Sequence, residues 1–91
     1  MKTEEYIIII LTVMEENGKV NIVYTSTSEQ LNVTVKVLYS NGQTIQIFER
    51  VRKAEKGLLS FSSENLLPGT YTCTIDIDGK VRDTKNLIIG R

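Results

Sequence analysis

Three Asn-Gly or Asp-Gly dipeptides, each lying between two apolar runs, constrain the fold of this chain more than any other feature. They are Asn17-Gly18, Asn41-Gly42 and Asp78-Gly79. A two-residue type I′ turn needs positive φ at both central residues, and Asn or Asp followed by Gly adopts that conformation at low cost. The sequence therefore predicts three β-hairpins joined by type I′ turns.

The runs around these turns are rich in β-branched and aromatic residues, and they predict seven strands. The predicted strands are 5–14, 19–25, 30–39, 43–50, 57–62, 69–78 and 80–89. The third and sixth alternate most clearly with a period of two. Their predicted inward residues are Leu31, Val33, Val35, Val37 and Tyr39 in the third and Tyr71, Cys73, Ile75 and Ile77 in the sixth, with Thr70, Thr72, Thr74 and Asp76 facing outward.

Seven short strands in 91 residues bury one another best as two packed sheets. We therefore expect a single domain over residues 1–91, all-β, with the architecture of an antiparallel immunoglobulin-like β-sandwich. Only segment 49–59, ERVRKAEKGLL, has helical character. It is interpreted as a strand end followed by an exposed connection, with one helical turn as the alternative.

The charge balance and the residue types exclude several classes of function. Lysine plus arginine and aspartate plus glutamate number 11 each, so no net charge favours nucleic acid or an anionic membrane. The chain has no histidine, one cysteine and no glycine-rich phosphate loop, which leaves no Ser-His or Cys-His pair and no thiolate or imidazole metal site. We predict no catalytic residues, no cofactor and no metal, and we interpret Cys73 as an inward-facing core residue.

The apolar run YIIIILTVM at 6–14 is predicted to be the first strand. Acidic residues before it, and the lack of a small-x-small cleavage site after it, argue against a signal peptide, and the run is too short for a membrane-spanning helix. Its centre, Ile7, Ile8, Ile9, Ile10 and Leu11, is apolar on both faces. Either this strand is buried more deeply than its neighbours, or it is an interaction strand that adds to a protein partner or forms a homodimer.

The segment LLPGTY at 66–71 predicts a sharp corner before the sixth strand. The predicted structural corner is Leu67, Pro68, Gly69 and Tyr71: Pro68 sets φ, Gly69 takes the bend, and the Tyr71 hydroxyl reaches back to cap the corner, as in a tyrosine corner.

Four segments together resemble the C-terminal sorting domains of the Bacteroidetes type IX secretion system. They are LNVTVKVLYSNGQTI (31–45), LLPGTY (66–71), TIDIDGK (74–80) and KNLIIGR (85–91), and the resemblance covers about residues 19–91. The same pattern is similar to a family of small immunoglobulin-like Bacteroides envelope proteins of unknown function. For a sorting role the resemblance implies Lys80 and Lys85 as exposed contacts, with Gly69, Tyr71 and Gly79 structural.

Pro68 is the only proline, so the Asn-Pro segment with which sorting domains usually open is absent. That absence, with no cargo domain in the sequence, favours a stand-alone module. We therefore expect a non-enzymatic module of a bacterial envelope or secreted protein that acts through protein–protein contacts, or alternatively a sorting domain. The expected compartment is the periplasm, the cell surface or the exterior, with a signal peptide outside this sequence; the lone cysteine fits a reducing cytoplasm equally well.

Overall fold

The structure is a computed structural model that describes residues 8–27 and 32–90, and within them every regular element is a strand. The strands are β1 (Ile8–Glu16), β2 (Lys19–Ser26), β3 (Val33–Tyr39), β4 (Thr44–Phe48), β5 (Ala54–Ser62), β6 (Gly69–Ile77) and β7 (Lys80–Ile89). They form a three-stranded sheet, β1-β2-β5, and a four-stranded sheet, β4-β3-β6-β7, in which all neighbours are antiparallel. The predicted all-β sandwich is confirmed.

The predicted boundaries of the fifth strand are wrong at its start. β5 begins at Ala54, three residues before the predicted start at Gly57, and residues 49–53 connect it to β4 without a helical turn. The charged residues at the start of β5 hid its strand character from the sequence pattern. No helix long and apolar enough to cross a bilayer occurs among the residues that the structure describes.

Two of the three predicted hairpin turns have the expected conformation. Asn17 and Gly18 have φ of 54° and 77°, and Asp78 and Gly79 have φ of 49° and 86°, as type I′ turns require. At the third turn only Gly42 has positive φ. There the Gly42 N–H donates to the Tyr39 carbonyl, and Tyr39 N–H bonds the Gln43 carbonyl, which makes a three-residue loop ending in a left-handed glycine.

The core lies between the inner faces of the two sheets. Its buried members are Ile10, Val20, Ile22, Val33, Val35, Val37, Tyr71, Cys73, Ile75, Ile77, Leu87 and Ile89. The predicted inward alternation of β6 is confirmed, as is that of the three valines of β3. Tyr39 is half-buried, and the predicted inward Leu31 lies outside the described residues.

Asp76 departs from its predicted exposure. It alternates onto the outer face of β6 but is only 7% exposed, with its Oδ2 4.0 Å from Lys36 Nζ. A period of two predicts which face a side chain occupies, but it does not predict how crowded that face is.

All four edge strands contain a β-bulge, a place where the strand has one residue more than the strand with which it pairs in the same sheet. The extra residues are Leu11 in β1, Ile45 in β4 and Arg82 in β7, and in β5 residues 55 and 56 both face Thr25. Bulges twist an edge and interrupt its free hydrogen-bonding groups, which hinders pairing with another chain.

Beside two of these bulges a hydrogen bond joins the sheets. The Ile10 backbone N–H donates to Asp83 Oδ2 over 2.7 Å, which links edge strand β1 to edge strand β7. This contact holds the two sheets together on one lateral side of the sandwich.

Candidate functional site

The opposite lateral side, between edge strands β4 and β5, is open. The sheet that ends in β5 has three strands and the facing sheet has four, so the inner face of β4 lacks an opposing strand within the described residues. Most of the half-buried apolar side chains that border the core lie along this side: Ile45, Phe48, Val51, Leu59, Phe61 and Leu66. We call this opening the lateral groove.

Two cavities make up the lateral groove. One, of about 510 Å³, is lined by Tyr24, Phe48 and the connection 49–52. The other, of about 330 Å³, includes Phe61, Leu66 and Leu67 in its lining. Phe48 lines the first cavity and Phe61 the second, and the centroids of their rings are 6.1 Å apart.

The first cavity forms a cationic end of the lateral groove. Its lining holds two arginines, Arg50 and Arg52, against one carboxylate, Glu49, all three exposed, so its net charge is positive. Neither guanidinium forms an ion pair with a carboxylate among the residues described. Two hydrogen bonds hold this connection in place: Val51 N–H donates to the Val33 carbonyl (2.9 Å), and Tyr24 Oη donates to the Arg52 carbonyl (3.0 Å).

Arg50 itself has φ of 54°, a left-handed conformation that an arginine adopts at some cost in energy. Burial raises the pKa of the Tyr24 hydroxyl, and the positive charge of Arg52 acts in the opposite direction. The tyrosine hydroxyl therefore stays protonated at neutral pH and keeps its hydrogen bond to the Arg52 carbonyl.

The second cavity forms a neutral end, because no charged residue lines it. Its wall is the corner before β6, where Tyr71 Oη donates to the Leu67 carbonyl (2.6 Å) and Tyr39 Oη donates to the Pro68 carbonyl (3.0 Å). The two tyrosine rings pack with centroids 4.8 Å apart. Gly69 has φ of 141°, and a Cβ there would come within 3.0 Å of the Tyr39 hydroxyl, so the corner needs glycine.

The two strand edges that border the lateral groove lack the usual protective charges. β4 carries no charged residue, and β5 carries none from Gly57 to its end at Ser62. In contrast, the β7 edge carries Lys80, Arg82, Asp83 and Lys85. Charged side chains on an edge strand oppose the addition of a further strand, so β5 is open to strand addition where β7 is protected.

The predicted interaction strand lies at the edge of the three-stranded sheet. Ile8 to Leu11 belong to β1, and Ile7 lies outside the described residues. Ile10 is fully buried in the core and Ile9 is 40% exposed. Because the Ile10 N–H already donates to Asp83 Oδ2, it is not free to pair with a strand added at this part of the β1 edge.

The structure also places the two predicted sorting contacts. Lys80 and Lys85 are both exposed on β7, Lys80 at its first residue and Lys85 near its middle. They lie on the β1–β7 side of the sandwich, so the structure does not bring them together with the lateral groove.

Sequence reasoning missed the lateral groove. The sequence pattern places Arg50 and Arg52 in an exposed connection and residues 57–62 in an ordinary strand. One signal in the sequence is that the uncharged segment 57–62 closely follows a connection rich in arginine and lysine. The sequence does not show that this segment lies at the edge of a sheet, which only the strand order reveals.

The single cysteine, Cys73, is a buried free thiol. Burial, with a smaller effect from the Asp83 charge, raises the pKa of the Cys73 thiol to about 12, so the thiolate nucleophile is scarcely populated at neutral pH. No group of three or more acidic or cysteine side chains in the described part of the chain could hold a metal ion. The lateral groove offers apolar surface, free strand edges and two guanidinium groups.

Comparisons with known proteins identify the fold. A solved immunoglobulin-like protein from Pseudomonas aeruginosa superposes with a TM-score of 0.56 over 86% of this chain and 76% of its own, at 17% sequence identity. The chain has an immunoglobulin-like fold. No protein-family model and no curated protein matches it, so the resemblance to sorting domains stays a prediction.

Proposed function

We propose that this chain is a non-enzymatic immunoglobulin-like module of a bacterial envelope or secreted protein, and that it binds a protein partner in the lateral groove. The observation that carries the proposal is the clustering of half-buried core side chains on the one side where the smaller sheet is a strand short. Soluble domains usually cover such apolar surface, and a contiguous apolar opening rimmed by polar residues is typical of an interaction site.

The groove has the composition of a protein-binding surface. Aromatic residues and arginine are enriched in protein interfaces, and both occur here, as Phe48, Phe61, Tyr24, Arg50 and Arg52. The exposed leucines Leu58 (64%) and Leu67 (63%) extend the apolar surface to the rim at each end.

A peptide selection tests this function directly. Phage-displayed peptides are selected on the wild-type domain and then measured on a groove variant, Leu58→Thr with Leu67→Ser, and on a control, Ile88→Thr. Ile88 is 74% exposed on β7, away from the groove, so the control removes similar apolar surface elsewhere. We expect selected peptides to bind wild type and control equally and the groove variant at least about tenfold more weakly.

Thermal unfolding should show that all three proteins are equally folded. The proposal is wrong if selection enriches no peptide, or if the enriched peptides bind the groove variant as tightly as the wild type.

A sorting domain is the second candidate, favoured by the exposure of Lys80 and Lys85 on β7. Its test is a fusion of this chain to the C-terminus of a carrier protein in a bacterium with a type IX system. A sorting domain should send the carrier to the cell surface, and Lys80→Ala with Lys85→Ala should reduce that export. Retention of the wild-type fusion inside the cell would exclude this role.

A further inference from the structure

From the strand edges around the lateral groove we infer that its occupant is an extended peptide which adds to β5 as a fourth, antiparallel strand, with its acidic C-terminal end at Arg50 and Arg52. This inference rests on the proposed function and specifies the chemistry and direction of the partner.

The first step is the choice of edge. Residues 57–62 pair regularly with β2 from Tyr24 back to Lys19, with no bulge and no charged side chain. Each other edge in the described structure is interrupted or charged: β1 and β7 are linked through Asp83, and β4 has only three residues beyond its bulge at Ile45. Residues 57–62 are therefore the longest regular uncharged edge, and its outward N–H and C=O groups can pair with an added strand.

The second step is the apolar side of the occupant. A strand added to β5 continues the three-stranded sheet and lies over β4, where the larger sheet has no opposing strand. Its inward side chains then lie beside Phe61 of β5 and face Phe48 of β4 across the groove. The peptide is therefore expected to carry apolar residues at every second position, over about six to eight residues.

The third step is direction, which follows from charge. Tyr24 lies directly opposite Gly57 and bonds the Arg52 carbonyl, so the cationic end of the groove is at the Gly57 end of this edge. The lining at the other end is uncharged. In an antiparallel pair the C-terminal end of the peptide lies beside Gly57, so negative charge is favourable at that end and not at the N-terminal end.

Synthetic peptides of eight residues test the inference. The probe has valine or isoleucine at alternate positions, threonine between them and two aspartates at its C-terminal end. A control peptide of the same composition carries the aspartates at its N-terminal end. Two further versions are N-methylated on one or the other alternate set of backbone nitrogens, because only one set faces β5 in an added strand.

We expect the probe to bind with the amide signals of residues 57–62 shifting in NMR spectra. One N-methylated version should bind like the probe and the other should lose binding. The N-terminal-aspartate control should bind about threefold to tenfold more weakly. Arg50→Gln with Arg52→Gln should remove that preference, whereas Arg82→Gln, an exposed arginine on β7, should leave it unchanged.

The outcomes separate this inference from the proposed function. If the probe binds the wild type but not the Leu58→Thr, Leu67→Ser variant, and both N-methylated versions bind equally, strand addition is wrong while groove binding stands. Equal binding of the two charge placements would overturn the assigned direction. Failure of every peptide, or shifts elsewhere than residues 57–62, would overturn the inference, and the phage selection would then decide the proposed function alone. A concentration-dependent dimer that the probe does not dissociate would identify a second copy as the occupant.

Discussion

Among single residues, Gly57 shapes the lateral groove because it has no side chain. Its position on β5 leaves room for the ring of Tyr24, which crosses it and bonds the Arg52 carbonyl. A Cβ at Gly57 would overlap this ring, and because Tyr24 is buried and hydrogen-bonded at its tip, the ring cannot move without losing that bond.

We expect Gly57→Ala to lower the free energy of unfolding by about 1–3 kcal/mol, the usual cost of overpacking. Urea unfolding measures it. Gly90→Ala is the control, since a Cβ there meets no atom within 4 Å and φ is ordinary, so its effect should stay within about 0.5 kcal/mol. Equal stability of the two variants would show that the Tyr24 ring relaxes freely.

The Tyr71 hydroxyl anchors the corner before β6. Its 2.6 Å bond to the Leu67 carbonyl is made in a part-buried site, whereas the Tyr39 bond to Pro68 is exposed. We expect Tyr71→Phe to cost about 1–2 kcal/mol of unfolding free energy and Tyr39→Phe less than about 1 kcal/mol, because an exposed carbonyl regains its bond from water. Chemical denaturation of the two variants tests this order, and the reverse order would contradict it.

The buried thiol of Cys73 makes the free energy of unfolding depend on pH in the alkaline range. Its pKa is raised from 9.0 to about 12 in the folded state. Between these values the unfolded chain has lost the proton that the folded chain keeps, so stability falls as pH rises, by up to about 1.4 kcal/mol per pH unit from this group. Below pH 9 the group contributes no slope.

Cys73→Ala should therefore flatten the decline of unfolding free energy between about pH 9 and pH 11, compared with the wild type, while leaving the profile near neutral pH parallel. Urea unfolding of the wild type and the variant across this range measures both profiles, and contributions from the other ionisable groups, which both proteins share, cancel in the comparison. Identical slopes would mean that the thiol ionises in the folded protein as it does in the unfolded one.

At the element scale, the four edge strands differ in how they are protected. All contain a bulge, but only β1 and β7 are also joined, through Asp83 and the Ile10 N–H. The bulge at Arg82 shifts the register of β7 by one residue and thereby places Asp83 opposite Ile75 on the inward side, where it meets β1. The same acidic side chain also accepts from the Thr84 N–H, which orients it.

We expect Asp83→Ala to lower the unfolding free energy by about 1.5–3 kcal/mol, because a charge-assisted bond is lost and a backbone donor is left unsatisfied. Asp83→Asn retains an acceptor oxygen and should cost less. The rate of hydrogen exchange at the Ile10 amide reports on this bond locally. We expect the rate to increase in the alanine variant and to increase less in the asparagine variant. Unchanged exchange in both would show that this bond does not hold the β1–β7 side.

At the scale of the whole molecule, the sandwich is closed on one lateral side and open on the other. With no net charge, two copies repel one another weakly, so we expect the open edge that we propose as the partner site to be the site of self-association as well. The first strand, in contrast, contributes Ile10 to the core and its N–H to Asp83.

We therefore expect weak self-association at high protein concentration through β5, and not through β1. Sedimentation velocity should show it abolished by Leu58→Lys and unchanged by Ile9→Lys, since both residues are exposed apolar side chains on edge strands. If only the Ile9 variant lost self-association, the contact between copies would be formed by β1 and not by β5.

Local sequence patterns are enough to predict most of the strands and turns of this protein. Alternation and β-branched composition predicted the strands, and two Asp/Asn-Gly turns and the inward faces of β6 followed from local backbone preferences. The third turn could not be predicted in detail, because Asn-Gly serves both a two-residue turn and a three-residue loop, and only the register of the flanking strands chooses between them.

Which strands lie at the edges of the sheets follows from the three-dimensional arrangement alone, and the position of the candidate site depends on it. The composition of residues 57–62 would suit a strand inside a sheet as well as one at its edge. Likewise, Arg50 and Arg52 would be exposed cations in any loop, whether or not a groove lay beside them. Sheet order depends on long-range pairing, which joins β2 to β5 across some 35 residues and β3 to β6 across a similar span. Local sequence patterns carry little information about such pairings, because their energy comes from side chains that meet only in the folded sandwich.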